Sequence, residues 1–241
     1  MSDYKISILH LYPDLLNLYG DKGNIEAMRR RLIWRGIDVE VASCTADNDN
    51  VDFSAADIIF LGGGSDRETE IVCEKLKSKK EELLSFVENG GSLVALCSGY
   101  EMLGGYFQTA EKTVEGLGIL DIHTKFAAEK LIGNAIIECD GLTMPVVGFE
   151  NHNGRLDTGS YTPLGKVVKG CGNDGKSGFE GVLYKNVTAT YIHGPLFPKN
   201  PYLCDKVLSG ALKHKYSNFE VLAPLDDELE EKANKYMISR G

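Results

Sequence analysis

Two short runs in this chain leave no polar face, and they constrain its fold more than any other feature. Ile58-Ile59-Phe60-Leu61 and Leu93-Val94-Ala95-Leu96 are apolar at every position. Successive side chains of a strand point to opposite faces, so each run needs cover on both sides. Lys5 to Leu9 and Asp38 to Ala42 read as two further strands. Between them, Ile25, Met28, Leu32 and Ile33 recur at helical spacing. Gly20 to Gly23 is a turn, Asn24 can cap the helix that follows to about Arg35, and Gly36 stops it. A helical segment or pair runs to Asn89 with Leu76, Leu83, Leu84 and Val87 as its apolar face, and Gly90-Gly91 ends it. Strands alternating with helices predict an α/β fold, a doubly wound and mostly parallel sheet flanked by helices.

From about Leu120 to Lys185 the pattern changes to short alternating runs with frequent glycine, which predicts an antiparallel β elaboration. Thr188 to Ile192 returns to strand, Pro201 to Lys213 is helical, and Asp227 with Glu230 can form a capping box for a last helix to about Ser239. The 241 residues, 43% of them hydrophobic, suit one domain over 1–241 with an ample core. Net charge is −9, and the one basic run, Arg29-Arg30-Arg31, precedes Leu32, Ile33 and Trp34. It reads as the solvated side of a helix, so a nucleic-acid partner is not expected. The six cysteines contain no Cys-x-x-Cys pair, and no metal site is expected. No apolar stretch nears 18 residues and no leader pattern opens the chain, so a cytoplasmic protein without membrane insertion is expected.

The strongest chemical signal is Leu96-Cys97-Ser98-Gly99-Tyr100-Glu101. An apolar strand enters a turn of small residues and then a helical segment, Tyr100 to Leu103, which is nucleophile-elbow geometry with Cys97 as the reactive group. A helix N-terminus beside the thiol favours the thiolate. The same Cys could also be a buried core residue, as the other five are expected to be. A thiol nucleophile needs a base. His193, in Tyr191-Ile192-His193-Gly194-Pro195, ends a strand where sites form in open α/β sheets. Of the other four histidines, His10 is expected in packing, His123 and His214 at the surface, and His152 in Glu150-Asn151-His152-Asn153-Gly154-Arg155 stays a second candidate. Leu61-Gly62-Gly63-Gly64-Ser65 follows a strand but lacks the Lys-Ser/Thr of a phosphate loop. Backbone N–H groups of Gly63 or Gly64, with that of Ser98, are expected to form an oxyanion hole.

A glycine-rich strand end, then a Cys elbow, then a strand-end His is an order that resembles class I glutamine amidotransferase domains. With no carboxylate two residues after His193, the chain is similar to the cobyric acid synthase branch. Within that branch, the stretch from Leu11-Tyr12-Pro13-Asp14 to Gly20-Asp21-Lys22-Gly23-Asn24 resembles the glutamine-hydrolysing subunits of lipid II isoglutaminyl synthases. So do Gly62–Glu68, Glu115–Leu120, Val147–Arg155 and Thr190–Asn200. The resemblance implies a doubly wound α/β sheet that hydrolyses L-glutamine through Cys97 and His193. Ammonia would pass to a Mur-ligase-like synthetase subunit, in a heterodimer that amidates the D-glutamate of the lipid II stem peptide. It implies no cofactor in this chain, with ATP and magnesium on the partner, and it places a glutamine-binding Arg of the family at Lys130. Two departures stand out. The turn reads Cys-Ser-Gly-Tyr-Glu where the family has Cys-Gly-Gly-Tyr-Gln, so Glu101 adds a negative charge expected to raise the pKa of Cys97. Lys130 keeps a charge but loses the bidentate grip of Arg on a carboxylate. A glutaminase subunit serving a corrinoid-type synthase, or a catalytically silent binding subunit, are the alternatives. The absence of a recognisable ATP-binding region weighs against the first, and retained Cys97 and His193 against the second.

Overall fold

The computed structural model describes residues 4–240; residues 1–3 and 241 of the expected 1–241 span lie outside the described residues. The chain begins β1 (Lys5–Leu11), α1 (Lys22–Ile33), β2 (Asp38–Cys44), β3 (Ile58–Leu61), α2 (Asp66–Lys77), α3 (Lys80–Glu88), β4 (Ser92–Leu96) and α4 (Ser98–Met102). Six strands follow: β5 (Tyr106–Gln108), β6 (Thr113–Glu115), β7 (His123–Glu138), β8 (Val146–Asp157), β9 (Gly165–Lys169) and β10 (Phe179–Glu180). It ends with β11 (Val182–Tyr184), β12 (Val187–Thr190), α5 (Pro201–Lys215) and α6 (Glu228–Arg240).

The first sheet has the order β11-β12-β4-β3-β1-β2, parallel throughout except for β11 at the edge. The predicted doubly wound arrangement is thus present, and alternation along its strands explains both layers. Leu9, Leu11, Ile59, Leu61, Leu93 and Ala95 enter one core cluster; Ile6, Ile8, Ile58, Phe60, Val94 and Leu96 enter the other. Every side chain of β3 is fully buried, which is why the run carries no polar residue. At about 25 cal/mol per Å² of apolar surface, each such side chain contributes roughly 1.5–3 kcal/mol.

The second sheet holds the antiparallel elaboration. β8 runs along β7 on one side, and β5 and β9 pair with the two ends of β7 on the other. It differs from the expectation in three ways. β5 and β6 belong to it although they lie before Leu120, and β11 belongs to the first sheet. The predicted short runs are also two long strands, of 16 and 12 residues, broken by a register shift between Phe126 and Leu131.

Three local expectations are corrected. Asn24 lies inside α1 rather than capping it; its Oδ1 instead accepts the backbone N–H of Phe197 at 2.8 Å. Arg29 and Arg30 are solvated and pair with Glu26, but Arg31 is buried between Asp205 and Asp227. The Asp227 carboxylate is therefore held by Arg31 and not by a capping box. Ser65 and Glu68, next to the three glycines, do form a capping box, at the start of α2. Among the described residues no helix is long and apolar enough to cross a membrane.

Candidate active site

Cys97 follows the last residue of β4, and its backbone N–H donates to Thr190 O on β12 at 2.9 Å. It takes φ 52° and ψ −120°, a region that L-residues rarely occupy. That strain is the mark of a nucleophile elbow, since it turns the side chain out of the strand direction. The turn needs glycine next door: a Cβ on Gly99 would stand 2.5 Å from Gly62 O and 2.7 Å from Leu61 O. A Cβ on Gly63 would stand 3.0 Å from the Cys97 Cβ, so the glycine loop crosses directly beside the sulfur.

The expected donors are arranged differently from the sequence reading. Gly63 N–H donates to Asp21 Oδ2 at 3.0 Å, and Gly64 N–H donates to Ser98 Oγ at 3.0 Å. The third candidate, the Ser98 N–H, favours the Cys97 thiolate. The two glycine N–H groups are thus bonded elsewhere, because the buried Asp21 carboxylate and the Ser98 hydroxyl need donors.

A cavity of about 500 Å³ opens over Cys97 and is lined by Tyr19, Gly64, Ser98, Glu101, Lys130, Asn151 and His152 among others. Lys130 is exposed at this cavity, on the irregular stretch of β7. Glu101 accepts the Tyr191 hydroxyl at 2.6 Å, and burial raises its carboxyl to about 7 despite that bond. Burial raises the Cys97 thiol well above its ordinary value; Glu101 adds to this, and the Ser98 N–H only partly offsets it. The effect expected of Glu101 is present. The expected thiolate-favouring effect of the helix end is confined to that Ser98 N–H and is outweighed, since α4 has five residues and desolvation dominates.

His193 lies beyond the end of β12, where an isolated antiparallel bridge with Phe149 joins the first sheet to β8 of the second. The ring is buried, and burial, with His152 and Lys199 nearby, lowers its pKa to about 4. It stacks on Tyr19 with centroids 3.7 Å apart and planes at 13°. Neither of its ring nitrogens has a hydrogen-bond partner among the described residues. His152 is a different kind of histidine. Its ring stacks on Tyr191 at 3.6 Å, its Nδ1 lies 2.9 Å from Gly154 O, and its Nε2 lies 3.9 Å from Glu150 Oε2. His10 packs edge-on against Phe60, His123 is half-buried beside Tyr106 rather than at the surface, and His214 is exposed. Cys44, Cys73, Cys139 and Cys204 are buried and Cys171 half-buried.

The structure brings Gly64, Cys97, Ser98, Glu101 and Lys130 to one cavity and sets His193 behind Tyr19, which also lines it. Sequence reasoning assigned no role to Tyr19, Asp21 or Asn151. All three lie within the motif blocks quoted above, but their contacts cross between segments far apart in the chain.

Comparison with known proteins places the chain in a family. A family model for the CobB/CobQ-like glutamine amidotransferase domain matches residues 7–201. The subunit GatD of lipid II isoglutaminyl synthase (glutamine-hydrolyzing) from Staphylococcus aureus is 40% identical, over 99% of this chain and 97% of that protein. Its namesake from Streptococcus pneumoniae is 36% identical, over 97% and 91%. Among solved structures, the glutaminase domain of Trypanosoma brucei CTPS with bound acivicin superposes with a TM-score of 0.51 at 12% identity, covering 90% of this chain and 98% of that one. That likeness is one of fold. With its family model matched across both strand ends that carry the site, the chain belongs to the CobB/CobQ-like glutamine amidotransferases.

Proposed function

We propose that this chain hydrolyses L-glutamine at Cys97 and delivers the ammonia to an ATP-dependent, Mur-ligase-like synthetase subunit, which amidates the D-glutamate of the lipid II stem peptide. The observation that carries the reading is the strained Cys97 elbow facing a cavity that has Lys130 in its wall. The names of the relatives matched over nearly their whole length, subunits of a glutamine-hydrolyzing lipid II isoglutaminyl synthase, support a synthetase subunit as the destination of the ammonia.

In this reading the Lys130 ammonium pairs with the α-carboxylate of glutamine. The Cys97 thiol gives its proton to His193 as the sulfur attacks the side-chain amide carbon. The carbonyl oxygen takes the negative charge and is met by the Ser98 N–H; Gly63 and Gly64 would have to leave Asp21 and Ser98 Oγ to join it. The tetrahedral intermediate collapses, the C–N bond breaks, and His193 returns the proton to the departing ammonia. Water, deprotonated by the same imidazole, then cleaves the thioester and releases glutamate. The chain needs no cofactor for these steps; ATP and magnesium serve acyl activation on the synthetase subunit. The work is cytoplasmic, where glutamine and ATP are at hand.

Product formation by the reconstituted pair, with glutamine or an ammonium salt as nitrogen source, tests the reading. Cys97→Ala is expected to stop glutamine-dependent amidation, with a loss of several orders of magnitude, and to spare ammonium-dependent amidation. An assembled, folded variant complex that failed with both sources would place Cys97 in the synthetase step and end the proposal.

A further inference from the structure

Tyr19 belongs to the segment between Leu11 and Asn24, and none of the steps above uses it. Its ring lies nearly flat on the His193 imidazole, at 3.7 Å and 13°. Its hydroxyl accepts Asn151 Nδ2 at 2.7 Å. Tyr19 and Asn151 both line the cavity over Cys97, and a charge on Cys97 is felt at the Tyr19 hydroxyl. One side chain therefore touches the expected base and stands near the expected nucleophile, with its own tilt fixed from β8.

His193 needs such a neighbour. Its ring nitrogens have no hydrogen-bond partner among the described residues, so no hydrogen bond from those residues sets the imidazole plane. Around it, Phe149 on β8 meets the ring edge-on at 5.8 Å. His152 on β8 and Lys199 before α5 oppose a positive charge there, while Glu150 on β8 favours it. Yet the imidazole must become a cation when it accepts the thiol proton. A cation against an aromatic face is stabilised by the ring quadrupole, and more so when water is excluded.

We propose that Tyr19 is the positioning residue of His193: its stacked ring fixes the imidazole plane and stabilises the imidazolium that forms as Cys97 attacks. The proposal rests on the reading of Cys97 and His193 as nucleophile and base. Stacking here fills the office that an orienting carboxylate fills in a triad. The Asn151 bond to the hydroxyl is an anchor for the ring and secondary to it.

Glutamate release from L-glutamine by the full chain, followed across pH, tests this with Tyr19→Phe, Tyr19→Leu and Tyr19→Met. The Phe variant keeps the ring and is expected to retain kcat within about threefold. Leu and Met cover similar apolar area without a π face, and are expected to lower kcat about tenfold while KM changes by less than about twofold. In both, the acid limb of kcat/KM should move to lower pH, because the imidazolium loses stabilisation and not the neutral ring. Tyr19 is half-buried, and two non-aromatic variants guard against one that fails to fold. Wild-type kcat in folded Leu and Met variants overturns the proposal. So does a Phe variant as slow as they are, or a change confined to KM. Cys97→Ala and His193→Ala run alongside: activity in either would remove the reading beneath the proposal, whereas their silence with fully active Leu and Met variants would remove Tyr19 alone.

Discussion

At the scale of single residues, burial acts on Cys97 and His193 in opposite directions. It raises the thiol and lowers the imidazole, so the resting pair is neutral on both sides at pH 7. In the proposed mechanism, proton transfer then accompanies attack instead of preceding it, and groups that bias either partner matter. Glu101 is the group whose charge weighs most on Cys97 after burial itself. Glu101→Gln is expected to raise kcat/KM for glutamine severalfold above pH 7, where the wild-type carboxyl is charged, and to change it little below pH 6. A pH–rate profile that is the same in both proteins would show that the charge does not reach the sulfur. The same substitution has a stability consequence. The Glu101 carboxyl is raised from 4.5 to about 7 in the folded chain, which therefore binds more protons than the unfolded chain between those values. Stability falls as pH rises through that window, and Glu180, also raised to about 7, adds to the slope. Denaturant titrations should show a shallower decline in the Gln variant.

At the scale of elements, the site is a meeting of strand ends. β3 supplies the glycine loop, β4 the elbow, β12 the strand that leads to His193, and β7 and β8 the cavity wall. The tolerances between them are narrow. Gly99→Ala would press a methyl group against the carbonyl oxygens of Leu61 and Gly62, both backbone atoms that cannot step aside. The expected cost is about 1–3 kcal/mol or more, read as a lower denaturation midpoint, with loss of glutamine hydrolysis as the elbow shifts. Unchanged stability would mean that the loop after β3 yields freely. Elements of this kind were unevenly legible. β3 and β4 could be read because full burial leaves only apolar letters, whereas β5 and β6, each of three residues, carry too few positions for a period to emerge.

At the scale of the whole molecule, Arg31 ties α1 to α5 and to the segment before α6. Its guanidinium meets Asp205 at 2.7 Å and Asp227 at 2.5 Å, and Arg35 shares Asp205 at 2.5 Å. Only 3% of the Arg31 side chain is exposed, so its removal leaves the nearly buried Asp227 unpaired. Arg31→Met is expected to cost about 3 kcal/mol in urea unfolding, and Asp227→Ala less, because Asp205 would still neutralise Arg31. The reverse order would assign the strength of the network to Asp227.

The sequence by itself determined the alternation of strands and helices, the elbow at Cys97 and the strand-end position of His193. Each is written within a few consecutive residues: two-sided burial, a small-residue turn and a strand terminus all act locally. The family resemblance carried by the same motifs agreed with the comparisons. Only the tertiary structure decided which N–H groups are already bonded, that Arg31 is buried, that Glu101 faces the thiol beside Tyr191, and that Tyr19 lies on His193. Those facts join segments that can be more than a hundred residues apart. Burial and contact geometry across such separations arise from packing the two sheets against each other, and no local spacing in the chain encodes them.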